Sequence, residues 1–469
     1  MKELINSCSN ITEPKNGLYI TSVDYAQWQD YMSPLIKSYE GCMGDCDKCK
    51  ASHEDSINKE IRVKDITFVV TEVCDLKCTY CYQTHKTKRV MSKEVAKQAV
   101  DFILDEEKIN GYYNFKDSPA VILEFIGGEP LLNIDIMNYI VEYFKFKAFE
   151  MDHPWATNYM INFSSNGIRF EDDEVQKFLK RNPGKVSIGI TIDGNKKLHD
   201  ACRVFPDGRG SYDIVEKSIK KLVQSYDHPQ TKITLAPQNI MYLKDAITNI
   251  WKLGLTGAYT NCVFEDVWQI RDATILYRQM KELADYLLEN ERYRKYFCSL
   301  FSETIGVEIH EEQNWCGGNG QMLAIDPEGN CFPCIRFMKY SLNNEKEQPI
   351  GDIYKGLDKK EDNEWLNKLK AITMTSQCQN EDNKKCLGCK IASGCSLCVG
   401  FDYDTFGDPN HKATFICEMH HARVMANYYY WNKLYKLLNL DKTFELNISE
   451  EKALTIITEE EFQELMNLK

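Results

Sequence analysis

No stretch of these 469 residues approaches the ~18 consecutive apolar residues that a membrane-spanning helix needs, so no membrane partner is expected. The opening run Met1-Lys2-Glu3-Leu4-Ile5-Asn6-Ser7-Cys8 lacks the apolar core of a secretory signal, and a cytoplasmic setting is the expectation. Basic residues are in deficit: 57 Lys and Arg stand against 70 Asp and Glu, for a net charge of −13. Phosphate backbones reward basic surfaces, so no nucleic-acid partner is expected, and a solvated acidic surface accounts for the balance. Low-complexity tracts and tandem repeats are missing too. The 43% hydrophobic content is ordinary for a chain that buries a core. Its length accommodates one large catalytic domain with one or two smaller ones.

Cysteine is present in excess. Nineteen cysteines are too few per residue for a disulfide-dense miniprotein, and disulfides rarely persist in a reducing compartment. Clustered cysteines there point to metal or cluster ligation. Single residues such as Cys8, Cys202, Cys262 and Cys298 are more simply small buried side chains.

From Asp65 the pattern alternates short β-rich runs with longer helical stretches. Strands are expected at 65–73, 120–126, 159–164, 186–192, 232–236 and 258–264. Helices are expected at 92–104, 134–146, 171–180, 212–225, 243–253 and 273–288. Such alternation indicates parallel βα units. About six of them suit an α/β fold, a partial (β/α)6 TIM-like barrel, with functional residues at the C-terminal strand ends. Local periodicity alone leaves a doubly wound sheet open. Beyond about residue 310 the texture turns to short segments, glycines and cysteines. The expected division is an N-terminal cysteine-containing segment (1–60), the barrel (61–300), a cysteine-rich domain (301–425) and a helical tail (426–469).

Thr71-Glu-Val-Cys74-Asp-Leu-Lys-Cys78-Thr-Tyr80-Cys81 leaves the end of the first expected strand. Three thiolates at spacing C-x3-C-x2-C wrap three corners of a [4Fe–4S] cube, which usually takes four cysteines. One iron then stays open to a small molecule. Zinc is the alternative ligand for such a set. An identical spacing at Cys42, Cys46 and Cys49 follows no strand and has no βα unit around it. It reads as free thiols, with a zinc knuckle or an extra cluster set as alternatives.

The Cys74-Cys78-Cys81 motif, with aromatic Tyr80, resembles that of the radical S-adenosylmethionine (SAM) superfamily, in which the open iron binds SAM. The resemblance extends to successive strand ends. Gly127-Gly128-Glu129-Pro130 matches the family's GGEP motif, where two glycines are expected to let the backbone approach the SAM amino group. Ser165 and Asn166 in Ser164-Ser165-Asn166-Gly167 would lie near the ribose and carboxylate. In Thr191-Ile192-Asp193-Gly194, Thr191 is a candidate hydrogen-bond partner of SAM, and Asp193 sits beside it. Arg203 is a candidate partner of the SAM carboxylate, and Ala236-Pro237-Gln238-Asn239 is expected to border the adenine.

Cys316-x12-Gly329-x4-Cys334, followed by Cys386-x2-Cys389-x5-Cys395 and Cys417, resembles the SPASM domain, which binds auxiliary [4Fe–4S] clusters. Asp326-Pro-Glu-Gly329 reads as a hairpin turn presenting Cys331 and Cys334. The family pattern places a cysteine four residues after the Cys395 equivalent, whereas Cys398 follows by three. The resemblance implies two auxiliary clusters, the outer one on Cys386, Cys389, Cys395 and Cys417. The inner one would rest on Cys316, Cys334 and Cys398, with Cys331, Cys378, Cys298 or no protein group as fourth ligand. An iron left open there would accept a substrate thiolate. Zinc ribbons are the alternative for the Cys-x2-Cys pair.

The family chemistry implied is one-electron cleavage of SAM to a 5′-deoxyadenosyl radical, with an electron donor such as flavodoxin or ferredoxin as partner. Ile391–Cys398, Ala413–His420 and Asn427–Tyr435 look like those of radical SAM peptide maturases whose short precursors carry repeated Cys-x-x-x units. A cysteine-containing precursor peptide is then the implied substrate, and a thioether from its cysteine sulfur to a carbon the implied product. The nearest rival, a sulfatase-maturing enzyme, places an Asp base directly after its second SPASM cysteine. Here Ile335 and Arg336 follow Cys334. A non-catalytic zinc scaffold is the alternative of another class.

Overall fold

The computed structural model describes residues 63–226, 229–309, 316–359, 363–379 and 381–468. Cys8, Cys42, Cys46, Cys49 and the expected segment 1–60 lie outside the described residues.

Strand β1 (Lys64–Thr71) shows why the barrel forms. Successive strand side chains point to opposite faces. Ile66, Phe68 and Val70 enter the main core with Leu123, Phe125, Ile161 and Phe163 of neighbouring strands and Val100, Phe102 and Ile140 of covering helices. Phe68 and Phe125 stack with centroids 5.7 Å apart. Each fully buried side chain of this kind contributes roughly 1.5–3 kcal/mol over its exposed state.

Beside β1 lie β2 (Val121–Gly127), β3 (Tyr159–Ser165) and β4 (Val186–Ile190), each parallel to its neighbour. Next come β5 (Gln230–Leu235) and β6 (Gly257–Cys262), parallel to each other. The order β4-β3-β2-β1 follows the chain, whereas a doubly wound sheet reverses at a switch point. The seam between β4 and β5 carries no backbone ladder. The Thr231 hydroxyl spans it, donating to Ile190 O at 2.7 Å and accepting from Ile192 N at 3.1 Å.

Helices α1 (Lys93–Ile103), α2 (Ile134–Glu150), α3 (Asp173–Arg181), α4 (Lys196–Cys202), α5 (Tyr212–Ser225), α6 (Leu243–Lys252) and α7 (Ile270–Leu288) follow the strands. Capping fixes their starts. Ser92 Oγ accepts from Val95 N at 3.2 Å ahead of α1, and Gln269 and Asp272 form a capping box ahead of α7. That box moves the α7 start three residues before the expected Ala273. The short α4 was not anticipated.

Nor were five further short strands, two of which, Gly351–Asp352 and Gly356–Leu357, form a small antiparallel pair. β7 (Phe297–Cys298) pairs parallel with β6, and β8 (Met322–Ile325) pairs parallel with β1 from Asp65↔Met322 to Phe68↔Ile325. β9 (Cys331–Phe332) returns antiparallel on β8. The expected turn joins them: Asp326 Oδ1 accepts from Glu328 N and Asn330 N at 2.9 and 2.8 Å, and Gly329 takes the left-handed φ of 91°. The cysteine-rich region is thereby tied to the strand that leads into Cys74. A long helix, Cys417–Leu437, lies against α7, where Tyr429 Oη donates to Asp285 Oδ1 at 2.8 Å. No described helix is long and apolar enough to cross a membrane.

Candidate active site

β1 ends at Thr71, and Cys74, Cys78 and Cys81 follow on one loop at the C-terminal end of the barrel, all free and partly exposed. Cys81 N donates to Cys78 O at 3.3 Å, while Lys77 N and Thr79 N donate to Val204 O and Cys202 O at 2.7 and 2.9 Å. These bonds fix the loop against the end of α4. Cys202, expected to be buried, is; Cys262, expected likewise, is only half-buried.

Each thiol has its own polar neighbour. Asn166 Nδ2 lies 3.9 Å from Cys74 Sγ and donates to Asp75 Oδ1 at 2.6 Å. Lys86 Nζ donates to Cys81 Sγ at 3.1 Å. Arg203 bears on Cys78. Burial pushes the Cys74 thiol up to about 12, and it raises Cys78 with Arg203 opposing. Ligation by a metal cation reverses that preference by replacing the proton.

The GGEP residues pack directly on the cysteine loop. A Cβ on Gly127 would sit 2.0 Å from Thr71 O, and one on Gly128 2.3 Å from Val73 O. The glycines therefore admit the backbone of the cysteine loop. Gly128 N and Glu129 N donate to Thr71 O and Val73 O, each at 2.9 Å. The buried Glu129 carboxylate accepts from Ser165 Oγ at 2.9 Å, Asn166 N at 2.7 Å and Leu131 N at 3.2 Å. It is a strut between the ends of β2 and β3. Pro130 begins the short turn of helix that Glu129 caps.

Beyond β4, the backbone N–H of Thr191 donates to Ser165 O at 2.9 Å, and its half-buried hydroxyl has no partner among the described residues. The Tyr80 hydroxyl donates to Asp193 Oδ2 and accepts from Arg203 Nη1 at 2.8 Å. Among the described residues, Asp193 Oδ1 and Arg203 Nε are buried without hydrogen-bond partners. His199, which the sequence did not single out, orders this trio. Its Nδ1 accepts from Asp193 N at 3.2 Å, and its Nε2 lies 2.9 Å from Ser211 Oγ, which donates to Arg203 O at 2.8 Å. Burial first, then Arg203, lowers His199 to about 3, so the ring is neutral with Nε2 protonated. At the end of β5, Asn239 is absorbed in its own turn, donating to Thr234 O and accepting from Ala236 N.

The C-terminal cysteines form two groups. Burial pushes Cys316 up to about 12, with Cys398 adding to it, and raises Cys334 with Cys316 and Cys398 adding. A methyl on Gly318 would lie 3.4 Å from Cys316 Sγ and 3.7 Å from Cys334 Sγ. In the second group, burial pushes Cys386 up to about 11, Lys412 opposes, and Cys378, Cys395 and Cys389 add. Cys417 is pushed up to about 12 by burial, then Cys395. Of the three candidates for a fourth inner ligand, Cys378 bears on the outer group. Cys331 and Cys298 are both buried in the main core. None ranks among the groups bearing most on Cys316, Cys334 or Cys398.

A [4Fe–4S] cube takes each thiolate on a separate iron. Three free thiols on one loop, with donors at Asn166 and Lys86 and the Thr191 hydroxyl nearby, fit such a cluster.

Residues 68–248 match the model of the Radical SAM superfamily. This segment is a radical SAM domain. Among curated proteins, it is 23% identical over 311 residues to a serine-type anaerobic sulfatase-maturating enzyme of Bacteroides thetaiotaomicron, covering 61% of this chain and 72% of that one. It is 24% identical over 288 residues to the antilisterial bacteriocin subtilosin biosynthesis protein AlbA of Bacillus subtilis, covering 59% of this chain but only 56% of AlbA. The fold is that of anSMEcpe, solved with bound AdoMet and a Cp18Cys peptide, at TM-score 0.53 and 18% identity over 80% of this chain and 98% of that one.

Proposed function

We propose that this enzyme modifies a ribosomally made peptide and forms thioether crosslinks from the peptide's cysteines. The observation that carries the reading is the pairing of two three-cysteine sites. Cys74, Cys78 and Cys81 close the barrel's first strand, and β8, which follows Cys316 and leads through β9 to Cys334, lies on that same strand.

In this reading Cys74, Cys78 and Cys81 hold the catalytic [4Fe–4S] cluster. SAM bound there would supply, on one-electron reduction, the 5′-deoxyadenosyl radical that removes hydrogen from a substrate carbon. Asn166, the Thr191 hydroxyl and the Tyr80–Asp193–Arg203 trio line the strand ends where SAM would lie. Arg203 offers its guanidinium to a carboxylate. Gly127, Gly128, Glu129, Pro130 and Ser165 serve that site by shaping the loop. Cys386, Cys389, Cys395 and Cys417 would hold an outer auxiliary cluster, and Cys316, Cys334 and Cys398 an inner one with an iron open to the substrate thiolate. The division into barrel (61–300), SPASM-like region (301–425) and tail (426–469) belongs to the same reading. So do a cytoplasmic setting and a flavodoxin or ferredoxin donor.

AlbA, named for subtilosin biosynthesis, supports the peptide assignment by analogy, and the sulfatase-maturating relatives support protein substrates more broadly. Against the sulfatase reading stands the residue pair after Cys334. Ile335 is apolar, and the Arg336 guanidinium lies over the Tyr82 ring at 4.0 Å, so no carboxylate base occupies that place. Co-expression with a precursor carrying Cys-x-x-x repeats tests the proposal. The expected product has lost two hydrogens per crosslink and keeps no free thiol at the linked cysteines. An unchanged precursor mass alongside SAM cleavage would refute it.

A further inference from the structure

Lys86 stands five residues after Cys81, on the loop that returns from the cysteines to α1. By sequence it is one more lysine in a polar run. The loop around it, however, is anchored on both sides. Thr84 Oγ1 donates to Asn343 Oδ1 at 2.6 Å and His85 N to Tyr340 O at 3.2 Å. Thr87 N donates to Glu72 Oε2 at 3.1 Å, and Glu72 N to Arg89 O at 2.9 Å. Between these anchors the Lys86 ammonium is half-buried and 3.1 Å from Cys81 Sγ. Among the described residues no carboxylate lies within ion-pair distance of it. Its bond to sulfur is not the by-product of a salt bridge.

The other two cysteines of the loop have weaker or shared donors. Cys74 has the neutral Asn166 amide at 3.9 Å. The Arg203 charge near Cys78 is shared with the Tyr80 hydroxyl at 2.8 Å and with Asp193. Cys81 alone receives a direct hydrogen bond from a full positive charge.

We propose that Lys86 is a positioning residue that sets the reduction potential of the cluster held by Cys74, Cys78 and Cys81, acting through its N–H···S bond to Cys81. Hydrogen bonds to cluster sulfurs and local charge are the protein's levers on such potentials. One electron enters from a low-potential donor, and the cluster gains one negative charge. A fixed ammonium beside Cys81 favours the reduced state over the oxidised one, so the potential lies higher than without it. The consequence for function is a cluster that a flavodoxin- or ferredoxin-class donor reduces more completely. The inference rests on the ligand assignment of those three cysteines.

The test is an EPR-monitored redox titration of the full-length, anaerobically reconstituted enzyme with SAM present. The relevant signal is the one that changes when SAM is added. In Lys86→Met the reduction equilibrium is expected to fall about tenfold, a drop of about 59 mV for a one-electron couple, with iron content unchanged. Lys86→Arg, which keeps charge and donors, is expected to stay close to wild type. A wild-type midpoint in Lys86→Met, or equal shifts in both variants, would overturn the proposal. Loss of iron from both variants would overturn it as well, by showing a structural prop. A wild-type enzyme without any SAM-sensitive signal would defeat the ligand assignment itself, and the inference with it.

Discussion

Glu129 is buried, and its carboxylate receives three hydrogen bonds from the ends of β2 and β3. Burial, only partly offset by those donors, pushes it up to about 7. Its surroundings make it a brace for Ser165 and Asn166. The Cys74, Cys78 and Cys81 loop was legible because its spacing follows an expected strand, a context that the identical spacing at Cys42, Cys46 and Cys49 lacks. His199 and Lys86 were not, because nothing in the adjacent sequence separates them from ordinary helix and loop residues. Their roles come from what folding brings beside them, Asp193 in one case and Cys81 in the other. His199 also yields a pH prediction. Its folded value of about 3 lies below the ordinary ~6.5 of an unfolded histidine, so its contribution to stability is full above pH 6.5 and is lost as pH falls toward 3. His153 and His420 are likewise lowered to about 4 and add to the same slope. Glu129, raised to about 7, gains stability as pH falls through the same window, so the histidine contribution is read as a difference between two proteins. Between pH 6.5 and 5, His199→Gln, which retains a donor and an acceptor without a titration, should lose less melting temperature than the wild type; an identical pH dependence would contradict the neutral-imidazole assignment.

Strand β2 ends where its backbone meets the cysteine loop at Thr71 and Val73, and the paired glycines are the condition for that meeting. Gly128→Ala places a methyl 2.3 Å from Val73 O, a backbone atom that must move. Overpacking of this kind costs about 1–3 kcal/mol. The expected outcome is a lower melting temperature together with weaker SAM binding by the reconstituted enzyme. Normal SAM binding in a destabilised variant would show that the loop tolerates the shift. The six barrel strands and their helices were readable because each is long enough to display its period. β8 was not: four residues, Met322–Ile325, show no period, and their partner β1 lies about 250 residues earlier in the chain. The β4–β5 seam was equally hidden, since it depends on one threonine hydroxyl.

The barrel and the cysteine-rich region meet at the loop that carries Cys74, Cys78 and Cys81. β8 lies on β1, Arg89 joins Glu72 to Glu328 at the hairpin turn, and Arg336 covers Tyr82 beside Cys81. The loop is therefore shaped from both sides, and the two three-cysteine sites share one scaffold. Sequence resemblance implies two auxiliary ligand sets. It could not assign Cys378, which the fold places with Cys386. The most direct test of the account is iron and sulfide content after anaerobic reconstitution, read together with 5′-deoxyadenosine formation, for the wild type and the Cys74/Cys78/Cys81→Ala variant. About twelve irons per wild-type chain are expected, three cubes of four, with about eight and no 5′-deoxyadenosine in the variant. Equal iron in both proteins, or 5′-deoxyadenosine from the variant, would contradict it.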